Sequence, residues 1–162
     1  MASTKREIAL AKTKKTRAAD VAESAPELVI LSREDVEYYE PTSREICISI
    51  YDPGAQPAGV SPSFVAVLRL QFDDLTERDE DGDILFTAEQ ARQIIAYVDK
   101  WSDVDRVIVH CNMGVSRSPG IALGICDLRG WASASIERSH PGWNRLVRRL
   151  MLESASEPPR TG

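Results

Sequence analysis

A chain of 162 residues with 43% hydrophobic side chains can close one core without disulfides or a structural metal, and it is too short for two domains of ordinary size. Its net charge of −5 is uneven: residues 1–17 carry six basic side chains against Glu7 alone, which leaves 14 basic and 24 acidic residues in the remainder. So acidic a body lacks the phosphate-neutralising surface of a nucleic-acid-binding protein, and no apolar run approaches the ~18–20 residues of a membrane-spanning helix or follows the pattern of a signal peptide. A soluble, cytoplasmic, monomeric chain without nucleic-acid or membrane partners is expected. Cys47, Cys111 and Cys126 are odd in number and contain no C-x-x-C pair, which disfavours both a secreted disulfide framework and a zinc cluster.

In chain order, residues 1–26 are rich in Ala, Lys, Thr and Ser with few large apolar groups, and read as a flexible basic arm, with a surface helix over Thr4–Ala19 as the alternative. Residues 27–155 form the folded domain, and 156–162, with Pro158 and Pro159, a disordered tail. Leu28–Leu31 and Ile46–Tyr51 read as strands. Between them Ser32 caps a short helix that stops before Pro41. Asp52-Pro53-Gly54 turns the chain, and Phe64–Phe72 is a third strand. Thr87 and Gln90 form a capping box that opens a helix to about Trp101, with Ala91, Ile94, Ile95 and Val98 on one face. Val104–His110 is apolar enough for a central strand, Ser118–Leu128 is a helix ended by Gly130, and helical segments near Ala132–Arg138 and Asn144–Glu153 follow. The expected fold is α/β, a central, mostly parallel sheet of four or five strands with helices on both faces.

Chemistry concentrates in His110-Cys111-Asn112-Met113-Gly114-Val115-Ser116-Arg117-Ser118-Pro119, between the central strand and a helix. A short loop there turns successive backbone N–H groups into a concavity of phosphate size, formed by Asn112, Met113, Gly114, Val115, Ser116 and Arg117. Gly114 permits the turn, Arg117 supplies a planar fork for two oxygens, and the helix N-terminus adds positive potential. A cysteine at the floor of that field is favoured as the nucleophilic thiolate.

This segment resembles the signature H-C-x5-R-[ST] of the cysteine-dependent protein-tyrosine phosphatase superfamily, and "MGVSRS" is similar to its small dual-specificity members of bacterial and phage type. The blocks "ISIYDPG", "VLRLQFDDL" and "NRLVRRLM" extend the resemblance over about residues 28–153. It implies a metal-independent phosphomonoester hydrolase that needs no cofactor and acts on a phosphorylated protein or peptide, on phosphotyrosine alone or with dual specificity. Cys111 would attack phosphorus to form a phosphocysteine, Arg117 would hold the equatorial oxygens, Ser118 would assist the departing sulfur and His110 would position Cys111. The resemblance also implies a general acid on a loop after an upstream strand. Asp74 is preferred over Asp73, which would instead cap the loop. A non-catalytic phosphate- or phosphopeptide-binding module and a phosphatase of a phosphoinositide or RNA are the alternatives; the loop has no lysine to meet additional phosphates.

Other features have plainer readings. Glu77-x-Asp79-x-Asp81-Gly82 imitates a calcium loop, but Ala88 stands where the twelfth-position Glu belongs, so a solvated acidic turn is expected. Arg145, Arg148 and Arg149 read as a solvated helix face. Cys47 and Cys126 read as core residues, either of which could pair with an oxidised Cys111. His140, before Pro141, is given no catalytic role.

Overall fold

A computed structural model describes residues 25–155; the basic arm, its possible helix over Thr4–Ala19 and the tail at 156–162 lie outside the described residues but for Ala25 and Pro26. In chain order the elements are β1 (Glu27–Leu31), α1 (Arg33–Tyr38), β2 (Glu45–Tyr51), β3 (Ala66–Gln71), α2 (Ala88–Lys100), β4 (Arg106–His110), α3 (Arg117–Arg129), α4 (Ala134–Ser139) and α5 (Arg145–Ala155). The four strands form an entirely parallel sheet in the order β1-β4-β2-β3. Strand β4 is interior, as its apolar Val107-Ile108-Val109 run requires of a strand buried on both sides.

Alternation along the strands builds two cores of unequal size. Ile46, Ile48, Ile50, Val107, Val109 and Leu70 pack with Ala91, Ile94 and Val98 of α2, Ile121 and Ile125 of α3, and Val147 and Met151 of α5. On the opposite face, Cys47 and Ile108 meet Val36 of α1 together with Ala58 and Phe64 from the β2–β3 connection. Helices thus cover both faces, but three long ones lie on one and a six-residue helix plus a loop on the other. The connection cannot be helical because Pro53, Pro57 and Pro62 interrupt it. Arg33 and Arg69 satisfy its carbonyls instead, donating to Gln56 and Pro57 and to Ala58.

Local signals act as their chemistry dictates. The Ser32 hydroxyl accepts from the Asp35 amide, and Thr87 and Gln90 make both bonds of the capping box. Gly130 ends α3 in the left-handed conformation with φ 71°. Helices α3 and α5 approach so closely that a Cβ at Gly124 would lie 2.6 Å from Met151 Cβ. The expected strand Phe64–Phe72 is shorter, because Phe64 turns toward the smaller core and stacks on Tyr39 at 6.0 Å.

Candidate active site

The carboxyl ends of β2, β3 and β4 converge on the loop at residues 111–116, where ligands of open parallel sheets bind. Cys111 is buried at its base, with Sγ 3.1 Å from Ser118 Oγ and 3.3 Å from the Gly114 amide, so two donors can stabilise a sulfur anion. Gly114 has φ 76°, and a Cβ there would lie 3.0 Å from the Leu31 carbonyl oxygen and 3.1 Å from the Ser32 nitrogen. The loop is thus pressed against the β1–α1 junction, where the Arg33 amide donates to the Asn112 carbonyl at 3.0 Å. The side chains of Asn112, Met113 and Val115 face solvent, leaving the backbone as the inner wall of the loop.

Arg117 is 5% exposed and donates through Nη1 to Asp52 Oδ1 at 2.7 Å and to the Phe72 carbonyl at 2.9 Å, while its buried Nε has no partner among the described residues. Ser116, at the N-cap of α3, makes no side-chain cap bond. Its hydroxyl donates instead to Asp74 Oδ1 at 2.7 Å, so α3 opens without the side-chain cap that would close its N-terminal amides. Asp74 Oδ1 also accepts from Asn144 Nδ2 at 2.9 Å. Asp73 turns the other way: its Oδ2 accepts from the Ile84 amide at 2.9 Å, closing the loop rather than meeting the cradle.

His110 is fully buried, with Nδ1 3.2 Å from the Cys111 carbonyl and Nε2 2.6 Å from Ser49 Oγ. A carbonyl only accepts, so Nδ1 carries the proton and Nε2 accepts from the Ser49 hydroxyl. Burial first, then the charges of Arg33 and Arg69, push its pKa down to about 4 against the opposing pull of the Cys111 carbonyl, so His110 is a neutral strut for the loop.

The sequence matches no protein-family model and no curated relative. The fold of Tk-PTP in its active form superposes with a TM-score of 0.53 over 83% of this chain and 98% of its own, at 15% identity. The chain has the protein-tyrosine-phosphatase fold. Human DUSP28 (TM-score 0.48, 16% identity, 81% of this chain and 92% of its own) and TpbA of P. aeruginosa (0.43, 19%, 82% and 88%) are also similar.

Within this phosphatase fold, Cys111, Gly114, Arg117, Ser118, His110 and Asp74 come together around one loop, whereas Asp73 faces away from it. Three contributors escape sequence reading: Asp52, seen only as part of a turn; Ser49, an unremarked strand residue; and Asn144, whose place before a helical pattern signals an N-cap but not its reach to Asp74. Two expectations are corrected. Arg148 is not solvated: it grips Asp127 through Nε at 2.7 Å and Nη2 at 2.9 Å, and Glu137 at 2.9 Å, tying α5 to α3 and α4. Neither remaining cysteine can reach Cys111. Cys126 lies eight positions beyond Ser118 in α3, roughly 12 Å along the axis. Cys47 pairs with Ile108, three residues or roughly 10 Å short of Cys111, and lines the opposite core, whereas a disulfide needs Cα atoms within about 7 Å. Burial pushes the Cys47 thiol up to about 12 and that of Cys126 up to about 11, the latter with help from Asp127.

The calcium-like segment is closed on itself, with Asp83 Oδ2 accepting from the Asp79 and Glu80 amides; these bonds hold its carboxyl below the usual range. Among the described residues no group of three or more His, Cys, Asp or Glu is arranged to hold a metal, and no helix is long and apolar enough to cross a membrane.

Proposed function

We propose that the protein is a cysteine-dependent phosphomonoester hydrolase that acts on phosphotyrosine in proteins or peptides, with phosphoserine or phosphothreonine as secondary substrates. The observation that carries this reading is the buried, unpartnered Nε of Arg117 beside a side-chain-uncapped helix N-terminus and a buried cysteine. An orphaned buried donor costs about 1–3 kcal/mol, and a tetrahedral oxyanion over Cys111 supplies the acceptor.

In the first step the Cys111 thiolate forms the S–P bond as the P–O bond to the leaving group breaks, and Asp74 passes its proton to that oxygen. In the second, water attacks phosphorus, Asp74 takes up a proton, and the sulfur leaves with the Ser118 hydroxyl donating to it. Arg117 and the loop amides hold the equatorial oxygens throughout, electrostatic stabilisation by groups already in place. The rim favours a singly phosphorylated substrate: the side chains of Asn112, Met113, Val115 and Ser116 carry no cation to meet an additional phosphate.

Hydrolysis of p-nitrophenyl phosphate in EDTA tests the reading. Cys111→Ser should lower kcat by about 10⁴-fold or more, the scale of nucleophile removal, while tungstate still raises the melting temperature of the variant. Undiminished turnover by Cys111→Ser rejects this nucleophile, and a phosphoinositide turned over faster than phosphotyrosyl peptides rejects the substrate class.

A further inference from the structure

The geometry points to Asn144 as the positioning residue that aims the proton of Asp74, an inference that rests on the phosphatase reading. Asn144 is 3% exposed, and its amide has no rotational ambiguity. One end faces the Val147 amide, which can only donate, at 3.1 Å; the other faces the Leu75 carbonyl, which can only accept, at 3.2 Å. The group directed at Asp74 is therefore the NH2. Its two hydrogens bind Asp74 Oδ1 and the Leu75 carbonyl, clamping the acid and the residue after it to the first turn of α5. The backbone amide of Asn144 donates to the Ser116 carbonyl at 2.9 Å, fixing the residue whose hydroxyl supplies the second bond to Oδ1.

Two donors on Oδ1 occupy both of its lone pairs, so the transferable proton resides on Oδ2. On S–P bond formation that proton moves from Oδ2 to the leaving oxygen, and the resulting carboxylate is left with both donors in place. Asn144 touches neither phosphorus nor sulfur; it acts through Asp74 and should matter in proportion to the leaving group's need for a proton.

Phenyl phosphate, a poor leaving group, and p-nitrophenyl phosphate, a good one, are compared for wild type, Asp74→Asn, Asn144→Ser, Asn144→Asp and the double variant Asp74→Asn/Asn144→Ser. Serine and aspartate both retain an N-cap acceptor for α5. Asp74→Asn should lower kcat/KM, which reports only the step that expels the leaving group, about 100-fold or more on phenyl phosphate and much less on p-nitrophenyl phosphate. Asn144→Ser should lower kcat/KM about ten-fold on phenyl phosphate and no more than about two-fold on p-nitrophenyl phosphate, and should add nothing in the Asp74→Asn background. Asn144→Asp, which sets an acceptor against Asp74, should show the same leaving-group dependence and guards against a Ser variant that folds poorly. Equal losses on both substrates, or a loss that persists without Asp74, overturn the inference. If Cys111→Ser is as active as wild type the phosphatase reading itself fails, and if Asp74→Asn loses equally on both substrates the assignment of the acid fails; each takes this inference with it and is told apart by its own variant.

Discussion

Two buried charges stand at opposite ends of the same sheet, Glu45 where β2 begins and Arg117 beyond the end of β4, and they are treated in opposite ways. Glu45 is fully buried and saturated: Tyr39 Oη donates at 2.5 Å, Ser43 Oγ at 2.8 Å, the Thr42 and Ser43 amides at 3.1 Å and Arg106 Nη1 at 3.3 Å. Burial alone would raise its pKa, but these donors outweigh it and hold the carboxyl below its usual range. Arg117, almost as deeply buried, has among the described residues two acceptors, both on Nη1, and none for Nε. A charge that serves the fold is closed off by the fold; the charge we propose to hold the oxyanion is left incomplete, at a cost the rest of the core sustains.

Substitutions at the two ends should separate function from stability. Arg117→Ala should lower kcat by about 10²–10³-fold, as loss of a transition-state donor does, while changing the unfolding free energy by less than about 1 kcal/mol. A variant that unfolds rather than simply losing turnover would erase the distinction. Glu45→Ala should do the reverse, removing about 3–5 kcal/mol of stability, measured by urea titration, with kcat preserved below the melting transition. His110 gives the smallest expected effect and sharpens the comparison along the pH axis. Its folded pKa of about 4 lies below the ordinary 6.5, so between these values the unfolded chain binds a proton that the native state refuses. Its contribution is complete above pH 6.5 and is lost as the pH falls toward 4, by about 3 kcal/mol in all. Glu45, whose pKa is also lowered, weakens the fold in the same direction, so the His110 share is isolated by comparing wild type with His110→Asn, in which the slope from pH 6.5 to 4 should flatten.

The part of the site legible in the sequence is the part that is contiguous. Residues 110–118 are strand end, turn and helix start in one stretch, so the types and spacing of Cys111, Gly114, Arg117 and Ser118 carry their own geometry. The capping box of α2 and the left-handed stop at Gly130 were legible for the same reason. Asp52 and Asn144 were not, since each acquires its meaning from a partner 65 or 70 residues away, and nothing local distinguishes a turn aspartate from one that anchors an arginine. Arg148 misleads in the same manner, because its carboxylate partners come from two other helices that the spacing of α5 does not reveal. The unequal covering of the sheet lay in between: the prolines of the β2–β3 connection forbid a helix there, but only the fold shows that Ala58 and Phe64 then serve as the lid of the smaller core.

The absence of a Cβ at Gly114 lets the loop rest directly on the backbone of Leu31 and Ser32, so the turn above Cys111 takes its shape from a strand that, among the described residues, is paired on one side only. Edge strands are the first to peel away under load or dilute denaturant. Whatever tugs β1 from its place, be it a fused neighbour, a mechanical pull or a deletion past Leu31, should disarm the sulfur without ever touching it.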